Sequence, residues 1–138
     1  MSKAIQEAQY AFERGEIPIG AVIVLEDQII ARSHNLTETL NDVTAHAEMQ
    51  AITSAANFLG AKYLNQCTLY VSLEPCPMCV GALYWSQIGS VVYGAKETRH
   101  QGAGQAIYHP KTKVIGGIMA ATAAKLIHQF FESKRSLN

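Results

Sequence analysis

The sequence predicts an α/β protein: a three-layer α/β/α arrangement with a central mixed five-stranded sheet and helices on both faces. Three observations predict it. Helix-period and strand-period stretches follow one another in the order α-β-β-α-β-α-β-β-α, which sets strands into one sheet with helices laid over it. The run from Ile19 to Leu25 is continuously apolar, so it demands cover on both faces. At 138 residues, 49% hydrophobic and 16% charged, the chain has apolar surface for one real core and is short for two domains.

Each element has its own signal. Ala4, Ile5, Ala8, Ala11 and Phe12 recur at helical spacing between Ser2, a capping residue, and Gly15, a stop. Ile19–Leu25 and Gln28–Ser33 flank Glu26-Asp27 and read as a hairpin with a two-residue turn. Thr44 is the expected cap of a second helix that runs to about Leu59, with Gly60 as its end. Cys67–Ser72 is a buried strand. Pro75 then breaks the chain, and Pro77 suits the first turn of a third helix reaching about Gln87. Ser90–Gly94 is a strand, Val114–Ile118 a weaker one, and Ala121–Arg135 the closing helix. Val80, Ala82, Leu83, Tyr84 and Trp85 leave the third helix almost without a polar side, so it should be buried all round, in part against another subunit.

Composition narrows the class. No apolar run approaches the roughly 20 residues of a membrane span, and Met1-Ser2-Lys3 does not open a signal peptide. The expectation is a cytoplasmic protein without membrane contact. Three cysteines argue against a disulfide framework, and Cys67 reads as a buried, inert thiol. A net charge of zero hides an asymmetry. Residues 1–95 hold four Lys/Arg against nine Asp/Glu, whereas residues 96–138 hold seven against two. A basic final third is either a footprint for phosphates or a solvated helix face with a ragged tail.

Two fragments carry chemistry: His46-Ala47-Glu48 and Pro75-Cys76-Pro77-Met78-Cys79. One imidazole and two thiolates make a zinc site whose fourth position is left to water, and zinc lowers the pKa of such water to near neutrality. Glu48, two residues from the histidine, stands close to the metal without binding it. Either fragment alone is weak, since H-x-E arises by chance and C-x-x-C is also a redox motif. Together they fall at two expected helix starts, where thiolate is favoured over thiol. A closed structural site would need a fourth donor such as His34 or Asp42, and would give Glu48 no role.

H-x-E followed by P-C-x-x-C resembles the signature of zinc-dependent nucleobase deaminases. Within that superfamily the chain most resembles bacterial tRNA-specific adenosine deaminases along nearly all its length. The segments are Glu16–Val22, His34-Asn35, Thr44–Glu48, Leu69–Cys76, Gly94–Glu97 and Phe130–Arg135. The resemblance implies a cytidine deaminase-like fold over residues 1–138 and one zinc per subunit on His46, Cys76 and Cys79. It makes Glu48 the proton shuttle and gives the Cys76 backbone N–H to the oxygen at the attacked carbon. Asn35 becomes the base-contacting pocket residue, with Ala47 and Pro75 beside it. The implied substrate is the wobble adenosine of a tRNA anticodon stem-loop, converted to inosine, and the implied assembly a homodimer in which neighbouring subunits complete each pocket.

Departures from the pattern keep other readings open. Glu97 stands where the family usually has aspartate. Pro77-Met78 with Tyr84-Trp85 is similar to guanine deaminases, so a free base or nucleoside (guanine or cytosine) is the alternative substrate. A non-catalytic zinc domain is the third reading. Phe130-Phe131 either packs the last helix or receives unstacked bases. His100, His109 and His128 read as surface or capping residues, and Tyr84 and Trp85 as core or interface.

Overall fold

The computed structural model describes residues 1–99 and 106–136; His100 lies outside them. Nine elements follow in the expected order: α1 (Ser2–Glu13), β1 (Gly20–Leu25), β2 (Gln28–His34), α2 (Ala47–Leu59), β3 (Thr68–Leu73), α3 (Pro77–Ser86), β4 (Ser90–Ala95), β5 (Lys113–Ile115) and α4 (Ala120–Ser136). The strands form one mixed sheet in the order β2-β1-β3-β4-β5. β1 runs antiparallel to β2 and β3, while β3, β4 and β5 are parallel. The parallel β3–β4 pair needs a crossover, and α3 supplies it.

The hairpin turn forms at Glu26-Asp27, both with positive φ (49° and 63°), which matches the twist that two-residue hairpins need. Beyond it the β1–β2 register shifts between Ile23 and Val24, so the apolar alternation of β2 is interrupted there. α1 and α4 touch each other and lie against β1–β3 and β3–β4 respectively, whereas α2 and α3 touch each other and α2 lies over β1 and β2. The larger core joins Ile23, Leu69, Val71 and Val91 of the sheet to Ala47, Ala51 and Ala55 of α2 and Leu83 of α3. A smaller cluster joins Ile5 of α1 and Ala123 of α4 to Leu73 and Ala95. β1 is buried from Gly20 through Ile23, as its composition demands. Gly20 has a specific reason to lack a side chain: a Cβ there would collide with Ala4 O and Ala8 N of α1.

Three expectations are corrected. Met1, not Ser2, is the cap of α1, and Ser2 is already helical. α2 is capped by His46 in extended conformation, because Thr44 is held in a turn whose Asp42 carboxylate accepts from its N–H (2.8 Å) and hydroxyl (2.7 Å). Within the single chain α3 is buried on one side, which leaves its other side for the contact with another subunit that the sequence predicts. Val80 and Leu83 enter the core, while Met78, Tyr84 and Trp85 face outward, Trp85 with 77% of its surface exposed. One helix and the sheet cannot cover a ten-residue helix on every side. β5 is also shorter than expected, since Gly116-Gly117 follow Ile115 and Gly117 takes φ 87°.

Candidate active site

The site assembles at the N-termini of α2 and α3. His46 is the N-cap of α2, Cys76 the N-cap of α3, and Cys79 lies in the first turn of α3 after Pro77. His46 Nδ1 is 3.5 Å from Cys76 Sγ and 3.6 Å from Cys79 Sγ, and the three ligand atoms lie within 4.8 Å of one another. Zinc bonds of about 2.3 Å to sulfur and about 2.0–2.1 Å to nitrogen, opened to a tetrahedral angle, separate S and N by about 3.5 Å. The donor set therefore fits zinc in both chemistry and spacing. Among the described residues these three form the group, with no fourth His, Cys, Asp or Glu joining it.

Both helix N-termini direct positive potential at the sulfurs. The Cys76 thiol is pulled down to about 4, chiefly by the hydrogen bond from Cys79 and then, against the cost of burial, by His46. The Cys79 thiol, as donor of that bond and buried, is pushed up. A cation between them would hold both sulfurs as thiolates.

Glu48 is 4% exposed, and its Oε1 is buried without a hydrogen-bond partner among the described residues. Burial raises its carboxyl to about 7. A carboxyl so placed holds or releases a proton near neutrality and still has an oxygen to offer an incoming group. Asn35 shows the same signature: 3% exposed, its Oδ1 is buried and unpartnered, while its Nδ2 reaches Thr37 Oγ1 at 3.5 Å. Ala47 and Pro75 are buried beside the ligands, one in α2's first turn and one just before Cys76.

Other titratable residues are occupied elsewhere. Both ring nitrogens of His34 are engaged, by Glu7 at 3.1 Å and Arg14 at 2.9 Å. Asp42 holds Thr44. Cys67 is buried, and burial pushes its thiol up. His109 Nδ1 accepts from the Lys111 N–H, and His128 meets Glu132 at 3.3 Å on the surface of α4.

Sequence reasoning gives no individual role to Glu16 and Glu74, which lie inside the resembling segments Glu16–Val22 and Leu69–Cys76, or to Tyr108, yet the structure gives each a defined environment. Glu16 is fully buried and ties down the segment after β2 through three hydrogen bonds. Its signal is a carboxylate inside the otherwise apolar stretch before β1. Glu74, two residues before Cys76, accepts from the Glu97 N–H at 3.0 Å and fastens the zinc loop to the exit of β4. Tyr108 brings a buried hydroxyl without a partner among the described residues, close enough to feel the charges of Glu74 and Glu48; burial above all raises it.

A cleft of about 390 Å³ opens between the β4 exit and α4, lined by Lys96, Glu97, Arg99, His128, Phe131 and Arg135 among others. Glu97 accepts from the N–H, Nε and Nη2 of Arg99 (2.7, 3.1 and 2.9 Å). Arg99 lies 5.4 Å over the Phe131 ring. The two phenylalanines separate in role: Phe130 is buried edge-on against Phe12 of α1, and Phe131 faces the cleft.

Residues 1–95 match the cytidine and deoxycytidylate deaminase zinc-binding region. The tRNA-specific adenosine deaminase of Bacillus subtilis (strain 168) is 41% identical over 98% of this chain and 88% of its own. A structure solved in a study of A-to-I editing by tRNA:A34 deaminases at the wobble position of transfer RNA superposes with TM-score 0.83 at 40% identity, over 91% of this chain and 96% of that one. The guanine deaminase of Bacillus subtilis superposes with TM-score 0.68 at 46% identity, over 76% of this chain and 68% of its own. A cradle of one imidazole and two thiols beside a buried glutamate, on this sheet and with these relatives, places the chain in the zinc-binding cytidine and deoxycytidylate deaminase family, alongside the bacterial tRNA-specific adenosine deaminases.

Proposed function

We propose that the chain is a zinc-dependent hydrolase that converts the wobble adenosine of a tRNA anticodon loop to inosine with release of ammonia. The observation that carries the chemistry is the His46–Cys76–Cys79 cradle with the unpartnered carboxylate oxygen of Glu48 buried beside it. The polynucleotide substrate is supported by relatedness along 98% of the chain and by the basic, aromatic cleft against α4.

His46, Cys76 and Cys79 would hold zinc, which when bound would acidify and polarise a water. Glu48 takes one proton from the attacking water and delivers it to the purine ring nitrogen, then carries the second, from the hydroxyl left on C6, to the departing amine. The C6–O bond forms, the C6–N bond breaks, and water plus adenosine become inosine plus ammonia. Asn35 directs its unpartnered oxygen at the base, and Ala47 and Pro75 form the apolar walls. The Cys76 backbone N–H, at a helix N-terminus, faces the oxygen that gains charge at the attacked carbon. Lys96, Arg99 and Arg135 receive phosphates, and Phe131 offers a face for an unstacked base.

A second reading has one observation behind it: the 46% identity to a guanine deaminase over 76% of this chain. Ammonia release measured side by side on a wobble-adenosine stem-loop, guanine, cytosine and free adenosine separates the two. Turnover confined to the stem-loop supports editing; turnover of guanine with indifference to RNA reverses the assignment.

The 138 residues work as a single cytoplasmic domain, and no helix among the described residues is long and apolar enough to cross a membrane. Two copies pair through α3, where Met78, Tyr84 and Trp85 are exposed and Trp85 lies beside Tyr63. Sedimentation should give the mass of two chains, and Trp85→Glu the mass of one. A wild-type mass of one chain excludes the pairing.

A further inference from the structure

Asn35 is one residue beyond His34 and only three or four before the segment that Glu16 holds. Both anchors come from the same short stretch, the end of α1 and the turn after it. Arg14 has donors only, so its 2.9 Å contact from Nη1 makes His34 Nε2 an acceptor. The imidazole proton then sits on Nδ1 and is donated to Glu7 Oε1 at 3.1 Å. Glu7 is fixed in turn by Arg32 Nε at 3.3 Å. On the other side of Asn35, Glu16 accepts from the N–H groups of Glu38 (3.0 Å) and Thr39 (2.7 Å) and from the Thr39 hydroxyl (2.6 Å). Between the anchors, the Asn35 backbone N–H is bonded to Ile19 O, while its side-chain oxygen is buried and has no partner among the described residues. A polar atom buried in that state is unfavourable unless the surroundings fix it and a ligand later satisfies it.

We propose that Arg14, His34 and Glu16 form a clamp that aims the Asn35 side chain into the base pocket, with neutral His34 as the positioning residue. This rests on the deaminase reading of Asn35 as a base contact. Arg14 and His34 need touch no substrate to set its affinity: they fix the strand end from which Asn35 projects, and Glu16 fixes the chain beyond. Small displacements of such a group weaken substrate binding sharply.

The test uses the zinc-loaded enzyme and four proteins: wild type, His34→Ala, His34→Gln and Arg14→Met. Arg14 is on the surface, so its variant keeps the test alive if His34→Ala does not fold. For each, kcat and KM are measured on the anticodon stem-loop, and the Asn35 side-chain amide signals, assigned by their loss in Asn35→Ala, are recorded by NMR. His34→Ala and Arg14→Met should raise KM about tenfold, leave kcat within about threefold, and move the Asn35 signals. His34→Gln should restore both, because its amide accepts from Arg14 and donates to Glu7. Unmoved Asn35 signals in His34→Ala and Arg14→Met, or no restoration by glutamine, overturn the clamp. If wild type is inert on RNA while the signals move and recover as stated, the clamp stands and the substrate assignment falls.

Discussion

The Glu16 carboxylate accepts a 2.6 Å hydrogen bond from the Thr39 hydroxyl and a 2.7 Å bond from the Thr39 N–H, across 23 residues of sequence. Burial works to raise its pKa, yet these bonds and that from the Glu38 N–H outweigh it and hold the carboxyl below its ordinary 4.5. A folded-state pKa below the unfolded one stabilises the fold above the unfolded value, and the contribution disappears as pH falls through the folded value. Glu16→Gln should therefore lower the urea midpoint at pH 7 and progressively less below about pH 4.5. Equal losses at pH 7 and pH 3 would show that the charge is not what matters.

Glu48→Gln keeps the size of the side chain and removes its ability to take a proton. Bound zinc should be retained while kcat falls about 10²–10⁴-fold, the usual span for a general acid–base group. Metal analysis and single-turnover rates on the same preparation check it. Wild-type turnover in the variant would remove Glu48 from the mechanism.

The order of elements is legible in the sequence because each carries a strong local signal: the apolar run of β1, the periodicity of α1, the Gly60 stop of α2 with φ 63°. The metal cradle is legible for a different reason, since helix starts bring sequence-distant ligands together once their strands are paired. What stays hidden depends on tertiary context. Nothing local says that Thr44 will be captured by Asp42, so capping preference alone starts α2 too early. Nor does periodicity say how much of α3 its neighbours can cover, so the exposure of Trp85 does not follow from it. Glu16, Glu74 and the Arg14–His34–Glu7 chain act between elements, and no spacing rule reveals such pairs.

Under the proposed function, the basic end of α4 makes an electrostatic prediction. Phosphates neutralised by Lys134 and Arg135 at the end of α4 release counterions, so affinity falls with salt. Changing both to glutamine should weaken stem-loop binding and reduce the slope of log K against log salt by roughly 0.7 for each phosphate left without its cation. Lys134 also lies 5.4 Å from the Phe130 ring centroid, so thermal stability is followed in parallel. A slope equal to wild type would remove these residues from the RNA interface.

Metal stoichiometry reaches the core of the account most directly. Elemental analysis of protein purified without added metal should find one zinc per chain, and His46→Ala or Cys76→Ser should lose it together with all ammonia release. A chain without a transition metal, or full zinc occupancy in His46→Ala, would contradict the site.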